Sequence, residues 1–136
     1  MRNSIVFLAV TTILVGCGGN DFSGVYVGDV AQLDTRTNAT TKASEQWRID
    51  DATLVRMRGT ESCSLALETD TCSDGCYNKV LLADQHCTFA AESFVLEMGE
   101  VSDGNVSDHA VTISLSWTSA AGVHAALVET GTLTKL

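Results

Sequence analysis

Proline does not occur anywhere in the 136 residues. Average usage would place roughly six or seven in a chain of this length. Strand edges therefore cannot be blunted by proline. Closing a sheet on itself removes the edges altogether, so this absence favours a small barrel over an open sandwich. Positive charge is also scarce. Eight Lys and Arg face 17 Asp and Glu, for a formal charge of −9. The basic residues are scattered and form no stripe, and an acidic surface repels phosphate backbones, which excludes a nucleic-acid partner. No long hydrophobic run is present. The stretch from Ile5 to Gly16 has 12 residues, whereas a spanning helix needs about 20. No convincing period of 3.6 appears; the best helical candidate is a single turn near Ser93. Catalytic signatures are missing too, with no G-x-S-x-G elbow and no H-E-x-x-H.

What is present begins with the leader. Met1-Arg2-Asn3-Ser4 carries one positive charge, the apolar run follows, and Leu14-Val15-Gly16-Cys17 closes it with a small residue before the cysteine. A charged start, a run of this length and a small residue at the cut make a secretory signal. The four closing residues resemble a bacterial lipobox. That resemblance implies cleavage before Cys17, a diacylglycerol on its thiol and a lipidated N-terminus with more than one chain, which anchors stably where a single chain does not. In Gram-negative members an Asp after the cysteine favours the inner membrane; here the residue is Gly18, which implies the outer membrane. A plain secretory signal is the rival, and it would leave an odd cysteine in an exported protein. The expected organisation is a removed signal over 1–16, a lipidated tether over 17–21 and one domain over 22–136. The tether's five residues reach at most about 18 Å, so the domain would sit close to its bilayer.

Four cysteines remain beyond Cys17: Cys63, Cys72, Cys76 and Cys87. An even count in an exported domain reads as two disulfides, with three possible pairings. The nested pairing, Cys63–Cys87 outside and Cys72–Cys76 inside, is preferred because both pairs centre on Asp74-Gly75, a common turn dipeptide. Cys63 would then start one strand and Cys87 would lie on the returning strand. Zinc on these thiols, with His86 beside Cys87, is the competing reading. The spacings lack paired C-x2-C knuckles, so no metal is assigned.

The rest of the chain reads with a period of two. Val111, Ile113, Leu115 and Trp117 face one way, while Thr112, Ser114, Ser116 and Thr118 face the other, as in a half-buried antiparallel strand. Further strands are expected at Gly24 to Leu33, Glu45 to Asp50, Ala52 to Arg58, Ser62 to Glu68, Lys79 to Ala83, Gln85 to Ala90 and Ser93 to Gly99. Val123, Ala125 and Leu127 share a face, and Thr132 to Leu136 closes the chain. About eight to ten short strands make an all-β fold, a small antiparallel barrel or alternatively a β-sandwich. Asp34 to Ser44 reads as a polar, Thr-rich loop. Asp103 to Asp108 reads as a hairpin connection.

The opening Phe22 to Gly28, the stretch from Cys63 to Cys87 and the closing Glu129-Thr130-Gly131-Thr132-Leu133 are together similar to small, uncharacterised bacterial lipoproteins with lipocalin-like barrels. The resemblance implies no activity, and no functional residue beyond Cys17.

Candidate chemistry is thin. His86, His109 and His124 have no arguable catalytic partner, and His124 lies opposite a core face, so it is expected in solvent. Asp103, Asn105, Ser107 and Asp108, and separately Glu68, Asp70 and Asp74, bring oxygens together for a calcium ion, but the EF-hand pattern fails. Arg56 and Arg58 share one strand face, expected to be solvated. Tyr26, Trp47, Phe89, Phe94 and Trp117 are expected to fill the core, with an apolar ligand in the barrel as the other use. The expected function is a lipid-anchored binding or interaction module of the cell envelope, with no cofactor and no enzymatic activity. Its partner would be a small apolar ligand or an envelope protein. The alternative is a protein-binding inhibitor of an envelope-directed lytic enzyme, with the Thr69–Asn78 tip as a contact loop.

Overall fold

The computed structural model describes residues 23–50, 52–71, 77–105 and 109–136; for 69–71, 77–78 and 103–105 it describes the backbone alone. Cys17, the leader, and Cys72 and Cys76 lie outside the described residues. Among the described residues nine strands follow one another: β1 Gly24–Asp34, β2 Ala39–Ile49, β3 Thr53–Arg58, β4 Glu61–Thr71, β5 Tyr77–Leu81, β6 His86–Phe89, β7 Glu92–Asn105, β8 Ala110–Ser119 and β9 Leu127–Lys135. Each pairs antiparallel with its neighbours. β9 returns to β1, and β5 pairs with β7, so the sheet closes on itself. The sandwich is thereby excluded: this is an up-and-down barrel of the lipocalin-like kind.

The ring has eight staves because β5 and β6 share one. β5 pairs with the later part of β7, Leu81 opposite Gly99, and β6 pairs with its beginning, His86 opposite Val95. Residues 82–85 break this stave, and Asp84 adopts a left-handed conformation (φ 66°). On its other side the stave parts from β4. β5 is laddered to β4 as far as Leu67–Leu81, whereas β6 and β4 share no ladder. Side chains close that seam. The Gln85 amide accepts from the Ala66 N–H (2.6 Å) and donates to the Ala66 and Leu82 carbonyls (2.9 and 2.7 Å). One level on, Cys63 and Cys87 are joined as a disulfide, with Cα atoms 5.7 Å apart. The returning strand of the β4 hairpin is therefore β5, not the strand of Cys87, and the bridge spans the seam rather than the hairpin.

The inward positions follow the period of two. Trp47, Trp117, Phe94, Ile49, Leu54, Leu65, Leu96, Ile113, Leu115 and Leu133 are each below 2% exposed. Burying one leucine or isoleucine of this set contributes about 1.5–3 kcal/mol. Phe89 packs on Phe94 (5.7 Å between centroids) and edge-on to Trp117 (5.1 Å). β1 and β9 approach so closely that a Cβ on Gly131 would lie 2.7 Å from the Asp29 carbonyl oxygen, which only glycine tolerates.

Three segments differ from the sequence expectation. Ala39 to Ser44 is strand, not loop, and only 35–38 forms the turn. Val123 and Ala125 belong to a connection, with β9 beginning at Leu127. Ser93 lies in a strand.

Candidate functional site

The two ends of the barrel differ. The turns at 35–38, 59–60 and 90–91 and the connection at 120–126 form one end, the hairpin end. Gly24, Leu136 and the turn between β2 and β3 lie at the other, the terminal end, where the Leu136 N–H donates to the Val25 carbonyl (2.8 Å). Inward side chains toward the terminal end are mostly apolar, Tyr26, Ile49, Leu54, Leu67, Val101 and Leu133 among them, with the buried Lys79 of β5 opposite Val101. Toward the hairpin end the interior holds charge.

Glu45 on β2, Arg56 on β3 and Glu129 on β9 are 2%, 2% and 0% exposed. Each shares the inward phase of its strand with core residues: Trp47 and Ile49, Leu54, and Leu127 and Leu133 respectively. Arg56 reaches both carboxylates, Nη2 to Glu45 Oε1 and Nη1 to Glu129 Oε1, each at 2.7 Å. Two indoles complete the set. Trp47 Nε1 donates to Glu45 Oε1 (2.8 Å) and Trp117 Nε1 to Glu129 Oε1 (2.7 Å). The Arg56 guanidinium lies 5.1 Å from the Trp47 ring and 4.8 Å from the Phe89 ring. Arg58, nearer the mouth, donates from Nε to Glu45 Oε2 (3.1 Å), and Gln32 donates to Glu129 (3.3 Å). Two carboxylates against two guanidiniums make the group formally neutral. Burial works against the charge of Glu129, but the hydrogen bonds and charge of Arg56, with the Trp117 N–H, outweigh it and hold the carboxyl below its usual range. Burial likewise opposes the charge of Arg56, and the two glutamates overcome it.

This network corrects the expectation of a solvated face for Arg56 and Arg58: Arg56 is enclosed, and Arg58 is only partly exposed. The sequence carried a signal for it. A charged residue in phase with core residues on one strand is ambiguous, but opposite charges so placed on three strands can neutralise one another inside a barrel. The five aromatics are buried as expected.

A second polar cluster sits outside the wall. Glu97 lies where β7 bulges between Leu96 and Met98. Its Oε1 accepts from the Thr118 hydroxyl, from the Ala125 N–H (2.9 Å) and from Nδ1–H of His124 (2.9 Å). The Thr118 hydroxyl, then the Ala125 N–H, with His124 adding to them, bring this carboxyl down to about 2. His124 is in solvent, its side chain 85% exposed. A catalytic triad would set a nucleophile at Nε2; here Thr118 engages the carboxylate and the Nδ1 side.

The hairpin end is clasped shut. Arg36 in the first turn bonds Asp34 (2.9 Å) and, across the mouth, Glu92 (2.7 Å), and lies over Phe94. The Thr35 hydroxyl donates to the Ala125 carbonyl (2.8 Å). Two clefts among the described residues open on the outer wall. One of about 390 Å³ is lined by β5 and β7, and another of about 400 Å³ by β1, β2 and β3. Beside the seam, a crevice of about 10 Å³ reaches Arg56 and Phe89, room for roughly one water. No group of three or more metal-ligating side chains occurs among the described residues. The calcium candidates at 103–108, with Asp70 and Asp74, have side chains outside the description; Glu68 is exposed on the wall.

No protein-family model matches the chain, and no curated protein and no solved structure matches it.

Proposed function

We propose that the chain is a lipid-anchored protein of the cell envelope whose barrel is a binding module that recognises its partner with its outer surface. The observation that carries this reading is the filled interior, in which Arg56 and Arg58 are met by Glu45 and Glu129. Trp47, Trp117, Phe94 and the leucines occupy it, and Arg56, Glu45 and Glu129 face one another rather than a vacant cleft. That packing counts against a small apolar ligand inside the barrel and leaves recognition to the wall and the loops. No catalytic role is assigned to Glu97, His124 or Thr118.

Two further features support the envelope address. The Cys63–Cys87 bridge belongs in an oxidising compartment. Apart from Val128, the outward positions of β8 and β9, Thr112, Ser114, Ser116, Thr118, Thr130, Thr132 and Thr134, bear hydroxyls, where a lipid-facing barrel would carry an apolar band. Membrane attachment therefore falls to the acyl groups on Cys17. The inhibitor of an envelope-directed lytic enzyme is a narrower form of this reading, favoured by clefts that open outward, where a protein meets them. The Thr69–Asn78 tip lies largely outside the described residues.

Metabolic labelling with a fatty acid tests the anchor. Labelled protein is expected in the membrane fraction, with the label and the retention both lost in Cys17→Ala. Intact mass with and without reductant then counts the bridges. Unacylated, full-length protein in the cytosol with every thiol reduced would overturn the proposal.

A further inference from the structure

The outer wall is concave where two neighbouring staves are irregular at the same height. β7 bulges between Leu96 and Met98. Directly beside it the adjoining stave breaks after Leu81, where the Asp84 N–H donates to the Leu96 carbonyl (2.9 Å) and the Leu96 N–H to that of Gln85 (2.7 Å). Bulges of this kind re-aim side chains and recur beside functional sites. Here they turn two large apolar groups outward: Met98 is 68% exposed and Leu82 42%. With Val80 and Ala83 these form the floor of the 390 Å³ groove. Three carboxylates, Glu68, Glu97 and Glu100, share its lining with no Lys, Arg or His among them. Glu97 is held in place by Thr118, Ala125 and the solvent-exposed His124 at its Oε1, while its Oε2 accepts a 3.4 Å bond from Ser116.

We infer that this groove docks a cationic polypeptide segment of a partner protein, one apolar side chain resting on Leu82 and Met98 while lysines or arginines answer Glu68, Glu97 and Glu100. The inference rests on the binding-module reading and specifies its partner. Charge selects the occupant. A neutral or anionic ligand on this floor would desolvate carboxylates without supplying a counter-charge. An acidic bilayer surface would be repelled. A basic peptide with an apolar anchor satisfies floor and rim together, and its long-range attraction to a chain of net charge −9 speeds the encounter.

The test uses the protein as purified from cells and a fluorescent peptide of alternating lysine and leucine, followed by anisotropy. Two control peptides replace every lysine by glutamate or every leucine by serine. The lysine–leucine peptide is expected to bind at least tenfold more tightly than either, and about tenfold more weakly when salt rises from ~50 to ~500 mM. Glu68→Lys with Glu100→Lys should weaken it at least tenfold and Met98→Ser several-fold, while Glu61→Lys, beside the seam, leaves it unchanged. All of these positions are on the surface, and an unchanged thermal transition certifies the fold. Equal binding of the three peptides, or an equal loss in Glu61→Lys, would overturn the inference. Photo-crosslinkers at Met98 and at Met57, on the β2–β3 face, applied in whole cells, separate the two levels of the proposal. An adduct from Met98 that maps to a Lys- and Arg-rich segment and is lost on charge reversal supports the groove. Adducts from Met57 alone overturn the groove and leave the binding module standing. Adducts from neither position, and from no other surface position scanned, overturn both.

Discussion

Arg56 is the residue on which the polar interior turns. Its guanidinium spends its donors on Glu45 and Glu129, bonding both oxygens of each. Removing one member of a buried ionic set strands the others, which typically costs about 3–5 kcal/mol. Arg56→Ala should lose stability of that order in urea denaturation, and Arg56→Met combined with Glu45→Gln and Glu129→Gln should regain most of it. A single substitution that leaves the urea midpoint unmoved would show that the network contributes nothing. Acid acts on the same groups. Glu129 and Glu97 are both held below the usual 4.5 in the folded chain, Glu97 at about 2. Their contribution is complete above about 4.5, where the unfolded carboxyls are ionised, and is lost as pH falls through the lower folded values. A denaturant series should show stability dropping between pH 4.5 and 2, less steeply in Glu97→Gln; a flat profile would contradict it. The burial of these groups was legible only in part. Arg56 and Arg58 have the parity of Leu54, but rules of exposure say that charges stay wet. What overrides them here is a set of counter-charges contributed by β2 and β9, and one strand read alone does not display those.

At the scale of elements, the seam between β4 and β6 is the departure from a regular barrel. Everywhere else a backbone ladder joins neighbouring staves; here a glutamine amide and a disulfide do so. The effect of cutting the bridge should therefore be local as well as energetic. Cys63→Ser with Cys87→Ser is expected to cost about 2–4 kcal/mol. Amide exchange should quicken at Ala66 and along 86–89, while β1, β8 and β9 keep their protection. A uniform rise in exchange would place the bridge's role elsewhere. The strands themselves were largely readable. β8 alternates without interruption, and its inward set is buried as its pattern requires. The first half of β2 was not, because Ala39 to Lys42 are exposed on both faces, so no apolar period marks them. Only the ladder to β1 holds them extended, and a ladder leaves no trace in the hydropathy of one strand. β9 was cut short for a related reason: Gly131 reads as a break, yet it serves a close approach of two backbones.

For the molecule as a whole, closure was legible from the missing proline and the period of two, while the ring's break into β5 and β6 was not. Gln85 writes no periodic signal, and the symmetry of the cysteines pointed to a hairpin rather than a seam. The clefts on the wall were likewise invisible, since they come from a bulge and a break that meet only once neighbouring staves are paired. Under the export proposed above, the same closure has a consequence for a chain threaded through a membrane from its N-terminus. β1, the first stave to emerge, waits for β9, the last, before its free edge is covered. Until the final residues crossed, a polypeptide so exported would expose sticky strand edges to proteases and to its own copies. A chain ending at Ala126 should therefore aggregate or be degraded, and adding a synthetic peptide of residues 127–136 should restore the native tryptophan emission; native emission without that peptide would show that the last stave is dispensable.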